Sequence, residues 1–241
     1  MWGVVPAAGA GSRIQPLGFS KELLPLGDRR GAELERPRAV SEYLVDRMVL
    51  GGATRIAMVI APGKSDILEY HGAGAGAVTI CYVVQPRPVG LCDALFRALP
   101  LIAPEEQVLV GLPDTVWFPE HGLSLLDDGD LSFLCFPVSH PELFDAVVTG
   151  VDGTVVAVEV KQPAPRSRWV WGAFKLSGSA FHQLSALWRE RGQEDQYFGT
   201  LVNAWLARGG RATAVRAGEA YVDVGTLGGY REAMRLLAER S

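Results

Sequence analysis

The sequence predicts a three-layer α/β fold with a mostly parallel, mixed central sheet and a small antiparallel subregion. Strand-length apolar runs alternate with helix-period segments through the first half, the rhythm of βα units joined by right-handed crossovers. The runs at 55–61 and 107–111 are apolar almost throughout, as expected of parallel strands covered on both faces. Beyond 130, strand-like runs at 131–138, 146–151, 154–160 and 169–175 follow one another with few helices between them, which calls for antiparallel pairs.

In chain order, Val4 and Val5 form a short buried strand, followed by Pro6-Ala7-Ala8-Gly9-Ala10-Gly11-Ser12-Arg13. Gly9 and Gly11 let the backbone turn sharply and approach a ligand without a Cβ in the way. Successive amides in such a loop make an anion-binding concavity. Arg13 adds a planar fork of donors and Lys21 a mobile point charge, a combination suited to a polyphosphate. A P-loop is excluded, because G-x-x-x-x-G-K-[ST] is absent. A dinucleotide fingerprint fits poorly, because Pro16 interrupts the helix that should follow the glycines.

The polar stretch 27–36 reads as a loop. A helix is expected at 39–50, with Val40, Tyr43, Leu44 and Met48 on one face and Gly51-Gly52 as its stop. The strand at 55–61 follows, then a short helix at 64–70, a flexible turn at 72–76, a strand at 77–84, a helix at 91–99 and the strand at 107–111. After the four close strands, helices are expected at 180–191 and 201–207, short strands at 213–216 and 221–224, and an amphipathic helix at 227–240. No repeat, low-complexity tract or linker divides the chain.

Composition narrows the partners. Hydrophobic residues at 48% and charged ones at 21% are ordinary for a globular protein, and a net charge of −4 offers no general attraction to nucleic acid or an anionic membrane. The start of the chain lacks a basic n-region, and Gly51, Gly52, Thr54 and Arg55 interrupt the longest apolar stretch. A cytoplasmic protein without a membrane segment is therefore expected. Cys81, Cys92 and Cys135 are odd in number and lack metal spacing, so they read as reduced thiols.

Candidate chemistry sits at strand ends. Gln85-Pro-Arg-Pro88-Val-Gly90-Leu91 closes one strand and opens a helix, where ligands of open α/β sheets bind. The Gln85 amide offers the donor and acceptor that a pyrimidine edge requires, and Gly90 lets the backbone approach the base. Asp114 ends the strand at 107–111, and Asp223 ends Tyr221-Val-Asp223. Two carboxylates from distant strands suit an Mg²⁺ ion that keeps several waters and bridges phosphates, although either could cap a turn. Asp128-Gly-Asp130 has a metal-dependent D-x-D form but lies between apolar runs, where a turn is the simpler expectation.

Together, the segments 3–25, 85–91, 112–114, 158–172 and 221–226 closely resemble the ordered signature of sugar-1-phosphate nucleotidylyltransferases, the group of glucose-1-phosphate thymidylyl- and uridylyltransferases. The resemblance covers most of the chain. It implies a Rossmann-like nucleotidyltransferase (GT-A-like) fold in one domain, 1–241, with a nucleotide-binding half at 1–115 and an acceptor-binding half at 116–241. It implies transfer of a nucleotidyl group from an NTP, dTTP or UTP, to a sugar 1-phosphate, with Mg²⁺ as cofactor held by Asp114 and Asp223. Arg13 and Lys21 would be catalytic, and Ala7, Ala8, Gly9, Ala10, Gly11, Ser12, Gln85, Pro88, Gly90 and Asp114 would bind nucleotide. Lys161, Glu159, Gly172 and Asp195 would bind the acceptor.

The sequence departs from the pattern around Lys161. Val160 stands where the family has Glu and Gln162 where it has Pro, and Glu159 would point to the opposite strand face. Asp195 could equally be an N-cap. The loop at 28–36 is longer than usual, and assembly, including homo-oligomerisation, stays open. Alternatives are a cytidylyltransferase for phosphocholine or a phosphonate, with a flipped Gln85 amide; a glycosyltransferase using Asp128 and Asp130; and a non-catalytic nucleotide- or sugar-sensing module.

Overall fold

The structure, a computed structural model, describes residues 1–29, 36–74 and 78–240. Its elements are β1 (Trp2–Pro6), β2 (Pro25–Arg29), β3 (Arg36–Ala39), α1 (Val40–Leu50), β4 (Arg55–Ile60), α2 (Ser65–His71), β5 (Thr79–Val84), α3 (Leu91–Arg97), β6 (Gln107–Gly111) and β7 (Thr115–Phe118). Then come β8 (Leu131–Pro137), β9 (Asp145–Thr149), β10 (Val155–Val160), β11 (Trp169–Ser177), α4 (Gly178–Glu190), α5 (Phe198–Leu206), β12 (Ala212–Val215), β13 (Ala220–Asp223) and α6 (Leu227–Arg240).

The main sheet runs β10-β9-β11-β6-β1-β4-β5, with β8 paired to β11 and β12 to β8. The β6-β1-β4-β5 run is parallel. On the other side, β11 is antiparallel to β6, β8 and β9, and β9 to β10. The strand period sorts the core into two faces. Val4, Ala57, Val59, Val108 and Val110 pack beneath α3, α4 and α5, while Val5, Ile56, Met58 and Leu109 pack with Leu44 and Met48 of α1. A sheet buried on both sides is why these strands read as unbroken apolar runs.

Two local expectations change, and a third lies partly outside the described residues. Both ends of the stretch read as a loop at 27–36 are strands: β2 and β3 pair antiparallel, Asp28 with Pro37, and residues 30–35 lie outside those described. The turn expected at 72–76 is described only to Gly74. β7 was not expected; it pairs with β13 in a two-stranded sheet, setting Thr115 opposite Asp223. A third apolar cluster, with Leu24, Leu26, Val116, Val222 and Ala233, joins these small sheets to α6. Ala233 is the buried residue of α6, whose Leu227 and Met234 stay about half exposed, so the helix covers a corner of the fold with a narrow apolar stripe.

Candidate active site

Parallel pairing brings the carboxyl ends of β1, β4, β5 and β6 to one edge of the sheet, and with them the loops 7–20, 61–64, 85–90 and 112–114. Because β11 runs the other way, its Ala173 lies beside Gly111 and its amino-terminal half reaches the same edge. The ends of β9 and β10 come with it, since Val160 pairs with Asp145 and Ala146 with Val170. The cleft along this edge is thus lined by distant parts of the chain.

The loop after β1 leaves a run of backbone amides without a carbonyl partner among the described residues. The Ala7 amide continues the ladder to the Val59 carbonyl at 2.7 Å, whereas the amides of Ala8 to Arg13 take no carbonyl among the described residues. Ile14 and Gln15 fold back onto the Gly11 carbonyl at 3.0 and 3.2 Å. Gly11 has φ +68, and a Cβ there would lie 2.9 Å from Cδ of Lys21. Glycine therefore permits both the turn and the passage of Lys21 beneath it.

Lys21 donates to Asp114 Oδ2 at 2.5 Å, with both side chains largely buried. Burial pulls its ammonium pKa down, but the charges of Asp114, Glu22 and Asp223, with the Asp114 hydrogen bond, outweigh this and leave it raised. Arg13 is exposed and donates to Asp223 Oδ2 at 3.1 Å. The two carboxylates are neighbours, because the Val224 amide donates to the Asp114 carbonyl at 2.8 Å across the β7–β13 pairing. Each cation thus holds one carboxylate toward the cleft.

Behind Lys21 lies a support that sequence reasoning missed. Lys64 donates to both oxygens of buried Glu22, at 2.8 and 2.7 Å, and to the Ala7 carbonyl at 2.8 Å. Asp66 accepts from the Ser20 amide and hydroxyl at 2.6 and 2.7 Å. The start of α2 therefore clamps the segment bearing Lys21 at two points. Burial raises the Glu22 carboxyl above its usual value against the opposing pull of Lys64. The available signal was Lys64 and Asp66 just beyond a strand end.

Gln85 is buried, its Nε2 donating to Asp93 Oδ2 at 2.8 Å and to the Gly90 carbonyl at 3.2 Å. Gly90 has φ +120, and a Cβ there would strike the Gln196 backbone at 2.9 Å, so Gly90 also seats loop 191–197.

On the other wall, a cavity of about 340 Å³ is lined by Arg13, Asp114, Asp223, Lys161 and the rings of Phe144, Trp171, Tyr197 and Tyr221, with Asp145 among them. It opens into a cleft of about 620 Å³ bounded by α6 and loop 137–144. Lys161 sits in the left-handed region at φ 44, unusual for a side-chain-bearing residue, with Nζ 4.7 Å from the Tyr197 ring centroid. Its amide donates to the Phe144 carbonyl at 3.0 Å. Burial raises the Asp145 carboxyl, opposed by Trp171 and Lys161. Burial likewise pushes the Tyr221 phenol well above its usual value, with Asp223 and Asp114 adding to the shift.

The remaining acceptor candidates are placed less directly. Gly172 acts through packing: a Cβ there would lie 2.5 Å from Cε2 of Tyr221, so glycine lets that ring reach the cavity. Glu159 accepts from the Arg166 amide at 2.7 Å and its Nε at 2.5 Å, and does not line either cavity. Asp195 is gripped by Arg191 at 2.7 and 2.9 Å and is likewise absent from both linings. It is not an N-cap, since α5 starts from Tyr197 without a side-chain cap. Asp128 and Asp130 belong to the opposite edge. Ser177 pairs with Gln107 at the start of β6 and donates to the Asp130 carbonyl at 3.1 Å, while exposed Asp128 pairs with Lys175. This placement removes the D-x-D alternative.

Cys92 and Cys135 are free and buried, and burial pushes both thiols up to about 12. No helix among the described residues is long and apolar enough to cross a membrane. No cluster of three or more His, Cys, Asp or Glu that could hold a metal is found among them.

The family model described as Nucleotidyl transferase matches residues 2–240. A glucose-1-phosphate thymidylyltransferase of Mycolicibacterium smegmatis is 27% identical over 237 residues, covering 94% of this chain and 78% of that protein. One from Neisseria meningitidis is 27% identical over 178 residues, covering 70% of this chain and 58% of its own length. Among solved structures, UTP-bound UGPase from Acinetobacter baumannii superposes with a TM-score of 0.79 at 19% identity, covering 100% of this chain and 94% of that one. At that identity the likeness speaks for the fold, a Rossmann-like α/β arrangement with a mixed central sheet.

Proposed function

This chain belongs to the nucleotidyl transferase family of enzymes, and on that premise we propose that it joins a uracil or thymine nucleoside triphosphate to a sugar 1-phosphate, releasing pyrophosphate. One observation carries the proposal. Arg13, Asp114, Asp223 and Lys161 line one cavity, Lys21 pairs with Asp114 beside it, and the adjoining amides of Ala8 to Arg13 take no carbonyl among the described residues.

The division of labour follows from the chemistry of the groups. The acceptor phosphate oxygen is already anionic, so no general base is needed, and acceleration comes from positioning and charge stabilisation. Arg13 and the amides of Ala8 to Arg13 bind the β- and γ-phosphates. Lys21, fixed from below by the Glu22–Lys64 pair, donates to the oxygens around the reacting phosphorus. Lys161 anchors the acceptor phosphate. The faces of Trp171, Tyr197 and Tyr221 suit the apolar faces of a sugar ring, and Asp145 accepts from its hydroxyls.

Asp114 and Asp223 fit a magnesium ion. They are hard oxygen donors on adjoining backbone, two in number, which suits an ion that completes its shell with water and phosphate. When bound there, Mg²⁺ supplies neutralisation of phosphate charge and a template for in-line geometry.

The test is pyrophosphate release with Mg²⁺, crossing ATP, GTP, CTP, UTP and dTTP with glucose 1-phosphate, other sugar 1-phosphates, phosphocholine and simple phosphonates. Release with UTP or dTTP and a sugar 1-phosphate is expected. Release confined to CTP and a non-sugar acceptor would move the activity to the cytidylyl class, and silence across the grid would overturn the proposal.

A further inference from the structure

We infer that Asp93 sets the base preference of the nucleotide pocket by locking the Gln85 amide with its oxygen, and not its nitrogen, toward the base. The inference rests on the proposed function only in placing a pyrimidine against residues 85–90.

A glutamine side chain has two amide hydrogens and a carbonyl oxygen, and by itself can turn either end toward a ligand. Here both hydrogens are engaged inside the protein. One reaches Asp93 Oδ2 at 2.8 Å, and the other the Gly90 carbonyl at 3.2 Å. Both partners are pure acceptors. An inverted amide would set its oxygen against a carboxylate and a carbonyl in a buried site, leaving the Asp93 oxygen without that donor. Such a mismatch is the expensive kind of hydrogen-bond error.

Asp93 is itself immobilised. It is 6% exposed and lies in the first turn of α3, and Arg97 one turn later donates to both its oxygens from Nε at 3.3 Å and Nη2 at 2.9 Å. Gln85 is 2% exposed. The chain Arg97–Asp93–Gln85 therefore has one direction, guanidinium to carboxylate to amide nitrogen, and the amide oxygen takes no donor among the described residues.

An acceptor fixed at that end complements N3–H of uracil and thymine. Cytosine carries an unprotonated N3, also an acceptor, so the same oxygen meets it with repulsion. The flipped amide that would serve cytosine is thus blocked by Asp93. Uracil and thymine differ only at C5, which this device does not read.

The experiment is calorimetric titration of UTP, dTTP and CTP with Mg²⁺ into wild type, Asp93→Asn and Gln85→Leu, with thermal melts to verify folding. Wild type should bind UTP and dTTP about 10- to 100-fold more tightly than CTP, the range set by one mismatched buried hydrogen bond. Asp93→Asn presents both an amide and a carbonyl to Gln85, which removes the shorter of the two contacts that oppose an inverted amide and leaves only the Gly90 carbonyl, so the preference should fall by at least about threefold. Gln85→Leu should erase the preference through lost UTP and dTTP affinity while CTP changes little.

A folded Asp93→Asn that keeps the wild-type ratio would overturn the inference, as would a wild type that favours CTP. If Asp93→Asn does not fold, Gln85→Leu decides: a uniform loss across the three nucleotides would show a purely structural glutamine. Binding needs no acceptor, so a preference that collapses in Asp93→Asn, with no pyrophosphate release from any sugar 1-phosphate, would sink the acceptor assignment and leave this one standing.

Discussion

The two walls of the cleft are built in contrasting ways. The wall proposed for the nucleotide is made of loops that follow successive parallel strands, and its polar groups are held by charged partners: Lys21 by Asp114, Glu22 by Lys64, Ser20 by Asp66. The wall proposed for the acceptor is assembled from the antiparallel part of the sheet and from loop 191–197, and its principal surfaces are aromatic. A triphosphate presents the same charges whatever base or sugar it carries, so a rigid polar frame suits it.

If the nucleotide wall owes its rigidity to buried ion pairs, Lys64→Met should give the largest effect on stability. It strands Glu22 beneath the phosphate loop, which should cost about 3–5 kcal/mol in urea unfolding. A cost under about 1 kcal/mol would place the pair with surface salt bridges and erase the contrast. Next, Asp223→Asn should leave the melt nearly unchanged yet lower kcat by at least ~10²-fold, on the scale of lost metal-borne charge stabilisation. Near-normal turnover at saturating Mg²⁺ would remove Asp223 from the metal site.

Lys161→Ala sharpens the contrast from the other side. It should raise the acceptor KM roughly tenfold, the effect of one lost phosphate contact, with the NTP KM held. Loss of NTP affinity alone would move Lys161 to the nucleotide wall.

The smallest effect is an acid one. Burial alone would raise the Glu42 carboxyl, but hydrogen bonds from Arg36, Tyr70 and Arg29 outweigh it and bring the pKa to about 2. The folded value lies below the unfolded one, so Glu42 stabilises the native state above about pH 4.5 and loses that contribution as pH falls toward about 2. Glu42→Gln should therefore flatten the acid limb of the stability curve over that interval and leave neutral turnover unchanged.

Much of the architecture was legible because hydrophobic period reports burial directly. β1, β4 and β6 alternate between two covered faces, the arrangement such apolar runs favour. β7 escaped notice because its four residues follow directly on Asp114 and form a strand by pairing with β13, about a hundred residues away in the chain. The same distinction divides the site. Gly11, Arg13, Gln85 and Asp114 lie just beyond strand ends, and Lys21 farther along the connection after β1, where local chemistry already pointed to a ligand. Asp145, Trp171 and Tyr197 carry no such mark and become neighbours only when β9, β10 and β11 pair.

By itself, then, the sequence determined the layered sheet, the edge on which ligands are expected and the charged groups that await them, since period, glycine placement and strand-end polarity are properties of short segments. Only the tertiary structure decided that Asp114 and Asp223 adjoin, that Glu159 and Asp195 turn to arginines away from the cavity, and that Asp93 faces Gln85 from within the next helix. The physical reason is that a hydrogen-bond partner is selected by distance and direction in space, and neither is written in the spacing of residues along the chain.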